Sequence, residues 1–166
     1  FDRTHYPIET HKVGVLNAEG MYNACKHLID IDRRKIAIFC GAHQGITTKR
    51  LSGYIEAHHD FQIPVTPEYI VHCNVKSLVD LQDDLEKHVK SLLQLPEPPN
   101  AIVGVADTIT THLLGILAKL DIKVPETLAV IGFANTDLVL SLNPSLSTIR
   151  QPTTEIGEIS VHKLVE

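Results

Sequence analysis

No apolar run in this chain approaches the ~18 to 20 residues that a membrane-spanning helix needs. The longest, such as Ala129 to Phe133, are strand-sized and interrupted, so a soluble protein is expected. An excess of positive charge is lacking as well: 15 Lys and Arg face 20 Asp and Glu, a formal net charge of -5. The basic residues are dispersed apart from Asp32-Arg33-Arg34-Lys35, and no helix-turn-helix pattern is present. Phosphate neutralisation supplies most non-specific DNA affinity, so direct contact between this segment and DNA is not expected. Disulfide chemistry has little to work with. Cys25, Cys40 and Cys73 are odd in number and lack C-x-x-C spacing, which favours reduced, buried thiols in a cytoplasmic protein. The 10 histidines make no H-x-x-x-H or H-x-H arrangement with an acid beside it, and no metal site is expected. No G-x-S-x-G, G-x-x-x-x-G-K-[ST] or G-x-G-x-x-G occurs, so neither catalysis nor a cofactor is expected. The opening Phe1-Asp2-Arg3-Thr4-His5 has no initiator Met, basic n-region or apolar h-region, and reads as a cut end.

What is present is an ordinary globular composition, 43% hydrophobic and 21% charged over 166 residues, enough for one domain with its own core. Helix-like and strand-like patterns alternate along it, which predicts an α/β fold: a doubly wound parallel sheet covered by helices on both faces. Strands are expected at Val13 to Leu16, Ile36 to Phe39, Tyr69 to Val71, Ala101 to Val105, Leu128 to Phe133 and Ser147 to Arg150. Helices are expected at Glu19 to Ile31, at Thr47 to Phe61 with Leu51, Tyr54, Ile55 and His58 inward, and from Leu78 up to Pro96. Two more are expected at Thr108 to Leu120, with Asp107 as its cap, and at Thr153 to Glu166. Leu78, Leu81, Leu85, Val89, Leu92 and Leu93 repeat at helical spacing across a charged segment, for too few heptads to suggest a coiled coil. Ala134 to Pro144 reads as loop.

Several stretches, in order, resemble the LacI/GalR family of bacterial transcription regulators. Phe1-Asp2-Arg3 comes first, then an A-x-x-H-L-I helix from Ala24 to Ile29, Arg34-Lys35-Ile36-Ala37 leading to Gly41, and the R-x-x-G-Y of Arg50 to Tyr54. The most specific are Val124-Pro125-Glu126-Thr127-Leu128-Ala129-Val130-Ile131-Gly132-Phe133 and Pro144-Ser145-Leu146-Ser147-Thr148-Ile149-Arg150-Gln151-Pro152. The resemblance implies the C-terminal half of an effector-binding domain with a type I periplasmic-binding-protein-like fold. Residues 17–149 would form the C-subdomain, with 1–16 and 150–166 as crossover fragments of the N-subdomain and the DNA-binding headpiece absent. It implies a small-molecule effector, sugar-like or a related metabolite, bound between two subdomains of a cytoplasmic homodimer. Operator DNA would be read only through the headpiece. A periplasmic solute-binding protein serving transport shares the fold and is the alternative.

In open α/β sheets ligands lie beyond the carboxyl ends of the strands. Arg50 matches the arginine that hydrogen-bonds the ligand in sugar-binding relatives; its fork can bridge two hydroxyls or clamp a carboxylate. Asp2 and Gln151 fall at the crossovers, where they either contact ligand or tie a hinge strand. Asn135 follows Gly132-Phe133-Ala134 and either faces the cleft or forms an Asx turn. The departures from the family pattern are Ala106 for the Asn of an N-D pair, Ala134 for the first Asp of G-[FY]-D, Val75 for a stacking aromatic, and Leu16 for the acid of a D-N pair ending in Asn17. An unmet buried hydroxyl costs about 1 to 3 kcal/mol, so the family's usual sugar pose is not expected, and a smaller, more apolar or differently oriented effector is. Asp107 is expected to cap a helix rather than act as a base. Cys40 and Cys73 fall at strand ends without a base to activate them.

Overall fold

The computed structural model describes residues 7–41, 44–74, 77–134, 141–143 and 145–166. In chain order the elements are α1 (Asn17–Asp30), β1 (Ile36–Cys40), α2 (Gln44–Asp60), a 3-10 turn (Pro67–Tyr69), β2 (Ile70–His72) and α3 (Leu78–Leu93). They continue with β3 (Ala101–Gly104), α4 (Asp107–Lys119), β4 (Ala129–Ala134), β5 (Ser147–Arg150) and α5 (Thr153–Val165). The strands form one sheet in the order β2-β1-β3-β4-β5, every pairing parallel. The expected α/β architecture is observed.

Strand β1 lies inside this sheet, and all of Ile36, Ala37, Ile38, Phe39 and Cys40 are buried. A strand covered on both faces needs an unbroken apolar run rather than alternation. β3 meets the same demand with Ala101, Ile102 and Val103. Helix α1 packs on α2, and α3 packs on α4. Met21, Ala24, Cys25, Leu28 and Ile29 make the buried stripe of α1, and Leu81, Leu85, Val89 and Leu92 that of α3. Ser77 caps α3, its hydroxyl accepting the Asp80 N–H at 3.1 Å.

Three helices end alike. Asp32 (φ 63°), Gln62 (φ 53°) and Asp121 (φ 56°) adopt the left-handed conformation just past α1, α2 and α4. The next residue then donates back into the last turn: Arg33 to Leu28 O at 2.8 Å, Ile63 to His58 O at 2.8 Å, Ile122 to Leu117 O at 2.9 Å. This Schellman geometry satisfies carbonyls that the helix would leave without partners.

Four expectations need correction. Val13 to Leu16 is neither strand nor helix; a strand requires a partner, and this segment pairs with no described strand, while Val13 instead borders α5. Tyr69 belongs to the 3-10 turn, because Pro67 sits at the first position of that turn and delays the strand. In α2, Ile55 is 44% exposed while Thr47, Arg50, Tyr54, Ala57 and His58 are buried. The cause is Gly53: a Cβ there would lie 2.0 Å from the Ala18 carbonyl oxygen, so the helices approach through their backbones and turn Ile55 outward. The fourth concerns α4, whose cap position is Ala106; Asp107 is the first helical residue and is itself buried.

Candidate functional site

The chain runs from β1 outward to β2, then crosses back to β3 on the other side of β1. In open α/β sheets such a reversal marks the usual ligand position, at the carboxyl ends of the strands; here Gly41 and Val105-Ala106 follow β1 and β3 at that point. Helix α2 starts beside it. Thr47 is fastened there, its hydroxyl donating to Gly41 O at 3.2 Å.

Arg50, one turn further along α2, is 4% exposed. Its Nε donates to Asn17 Oδ1 at 2.8 Å, and its Nη1 donates to the Val105 carbonyl at the end of β3. The face of the guanidinium lies 3.5 Å from the Phe133 ring centroid, a cation–π contact that suits arginine's planar, weakly hydrated head. Asn17 is also 4% exposed and donates from Nδ2 to Val15 O at 3.3 Å. One buried cation therefore ties together the first turn of α1, helix α2, and the ends of β3 and β4.

The other candidates distribute unevenly. Ala106 is half-buried directly after Val105, and its carbonyl accepts both the N–H and the hydroxyl of Thr110 at 3.0 Å. Ala134 closes β4 in register with Arg150, and Gln151 follows at the sheet edge, half-buried, its carbonyl accepting Thr153 N–H at 2.9 Å. These three align along one edge of the sheet with Arg50. Leu16 is 74% exposed immediately before α1. Asp2, Val75 and Asn135 lie outside the described residues.

The strand-end thiols are buried and deactivated. Burial pushes the Cys40 thiol up to about 11 and Cys73 up to about 12, the latter helped by the Asp84 carboxylate. Neither supplies a thiolate nucleophile near neutral pH. Among the described residues no group of three or more His, Cys, Asp or Glu side chains is arranged to hold a metal. No helix among them is long and apolar enough to cross a membrane. An apolar groove of about 500 Å³ runs between α4 and residues 142–143 and 145–147, lined by Leu114, Ala118, Ile122, Val130, Leu142 and Leu146.

Asn17 and Phe133 as partners of Arg50 escaped the sequence reading. They lie 33 and 83 positions from Arg50, so no spacing rule connects them; only the parallel topology does.

Comparison with known proteins places this geometry. Residues 25–166 match the periplasmic binding protein-like domain family. The ribose operon repressor of Haemophilus influenzae is 32% identical over 90% of this chain and 44% of its own length. The HTH-type transcriptional repressor CytR of Escherichia coli K12 is 30% identical over 96% of the chain and 46% of its own length. The crystal structure of a LacI-family regulatory protein from Chloroflexus aggregans superposes with a TM-score of 0.88 at 27% identity, covering 99% of this chain and 58% of that one. The chain thus spans about half the length of the relatives it matches. It is similar to LacI-type regulators over that half, and it belongs to the periplasmic binding protein-like domain family.

Proposed function

We propose that this chain is the effector-sensing part of a LacI-type, DNA-binding transcription regulator, holding a small metabolite between its α/β unit and a second subdomain. The observation that carries the reading is the buried Arg50 at the strand-order reversal, fixed to the end of β3 through Val105. An effector shifts an open and closed pair of states only by its differential affinity for them, so a rigidly mounted cation on one jaw is a suitable discriminator. Arg50, Ala106, Ala134 and Gln151 form the C-subdomain side of the proposed cleft, with Asp2, Val75 and Asn135 completing it. The repressor relatives, one of them named for the ribose operon, support a sugar-like or related metabolite. Their names favour regulation over solute delivery to a transporter and over catalysis. In the intact protein operator DNA is read by a separate headpiece, the locale is the cytoplasm, and two copies pair; the apolar groove on α4 supports such pairing.

The test is calorimetric titration of the intact protein with free sugars, phosphosugars and nucleobases, in wild type, Arg50→Ala and Arg50→Lys. Hydrogen bonds to a charged group contribute about 1.5 to 3 kcal/mol, so affinity should fall by roughly tenfold to a hundredfold in Arg50→Ala. Thermal melts of each variant separate lost binding from lost folding. Undiminished affinity in a folded Arg50→Ala protein would exclude Arg50 from the site.

A further inference from the structure

Asn17 holds Arg50 with one end of its amide and the entering chain with the other. Its Oδ1 accepts from Arg50 Nε at 2.8 Å, while its Nδ2 and its backbone N–H donate to Val15 O at 3.3 and 2.9 Å. With the side chain 4% exposed, water has little opportunity to replace either contact. A second contact links the same elements: Gly20, on the same first turn of α1, stands where a Cβ would lie 3.0 Å from the Phe133 ring, and that ring carries the Arg50 guanidinium. Val15 belongs to residues 7–16, which have no helix or strand of their own. Their Thr10, His11 and Val13 border Gly157, Ser160 and Val161 of α5.

We infer that Asn17 is a positioning residue that transmits displacements of Arg50 to the 7–16 segment, so that what happens at the strand ends is felt where the chain enters the α/β unit. A planar amide gripped at both ends cannot follow the guanidinium without drawing the Val15 carbonyl with it. The charged donor makes the grip on Arg50 the stronger of the two. The consequence for effector sensing rests on the reading of Arg50 given above. The relay itself is a property of the ligand-free protein.

Residue-resolved hydrogen exchange in the full-length, ligand-free protein tests it. The reporters are the amides at position 17 and Gly20, which bond Val15 O and Leu16 O, and the β1 amides serve as an internal control. Lys keeps the charge of Arg50 but cannot reach Asn17 and Val105 together. Arg50→Lys should therefore accelerate exchange at the reporters about tenfold, the size expected when a charge-assisted bond stops opposing local opening. In the Asn17→Ala background the same Arg50→Lys change should add nothing further. Asn17→Asp keeps the acceptor for Arg50 and loses the donor to Val15; it should accelerate position 17 while amides 47–54 of α2 stay protected. Equal acceleration by Arg50→Lys in both backgrounds, or silence at the reporters, would overturn the relay. If Asn17→Ala unfolds, the β1 control reveals it, and the Asn17→Asp comparison decides alone: unchanged exchange at position 17 refutes the proposal. Because no ligand enters the experiment, a failed calorimetric test leaves this result standing.

Discussion

Replacing Gly53 by alanine should be among the most damaging small changes available in this chain, although alanine is the better helix former. The added Cβ would sit 2.0 Å from the carbonyl oxygen of Ala18 and 2.8 Å from its carbonyl carbon. Ordinary carbon–oxygen contacts lie near ~3.3 Å, so α1 and α2 must separate by roughly 1.3 Å. Both contact groups are backbone, and no side chain can rotate away. The separation loosens packing along a seam that buries Met21, Ala24 and Cys25 on α1 and Tyr54 and Ala57 on α2. A gap of 0.5 to 1 Å already forfeits about a quarter to a half of each dispersion contact, and overpacking of this kind costs about 1 to 3 kcal/mol or more. Helix propensity returns ~1 kcal/mol, so with packing at the upper figure the expected net loss is about 2 kcal/mol. Urea denaturation should register that value, and melting should fall by roughly 4 to 8 °C at ~2 to 4 °C per kcal/mol. The control is Gly115→Ala on α4, where a Cβ meets nothing within 4 Å; it should stabilise by about 1 kcal/mol. A Gly53→Ala protein as stable as wild type would mean that the helices do not meet backbone to backbone.

Acid should weaken the fold through His58. Burial holds this imidazole below its ordinary value, partly opposed by its hydrogen bond to Tyr54 O at 2.8 Å. A depressed value in the folded state means that the unfolded chain takes up the proton first. The stabilisation is therefore complete above the unfolded value, about 6.5, and is lost as pH falls from there through the folded value. Denaturation measured from pH 7.5 to 5 should show a decline that is shallower in His58→Gln; parallel curves would contradict it. At the end of α2, Gln62 holds φ 53°, a conformation that costs a non-glycine residue about 1 kcal/mol. Gln62→Gly should recover most of that in equilibrium denaturation, and a loss of stability there would count against the Schellman ending.

The architecture was readable because the periodicities were long and mutually consistent. The stripes on α1 and α3 and the unbroken apolar runs of β1 and β3 left one class of fold. Failure came where the deciding contact was tertiary. Val13 to Leu16 has a strand's composition, but composition cannot supply a pairing partner. Ile55 fits the apolar face of α2 by spacing alone, and only the approach of Gly53 to Ala18 rotates that face toward Arg50 and Ala57. The R-x-x-G-Y pattern illustrates how a motif mixes roles. Gly53 admits the neighbouring helix, Tyr54 donates from its hydroxyl to Ile36 O at 2.8 Å, and Arg50 is braced by the protein's own groups. Two of the three letters are thus demands of packing. For Asp107 the sequence points to the end of β3 but misses the register by one position: Ala106 takes the cap position of α4, and Asp107 is its first residue, with Oδ1 facing Gly132.

Thr10, His11 and Val13 of the 7–16 segment face one groove with Gly157, Ser160, Val161 and Leu164 of α5. Two covalent cords running close together behave as a strap rather than a swivel. Bending about the line that joins them deforms few torsions, whereas twisting shears one cord past the other. For the two-subdomain protein proposed above, this channels motion of the α/β unit against its partner subdomain toward a single axis. Asn17 sits where one of those cords is made fast, which makes the root of α1 a place to stiffen or slacken the strap without altering the sheet.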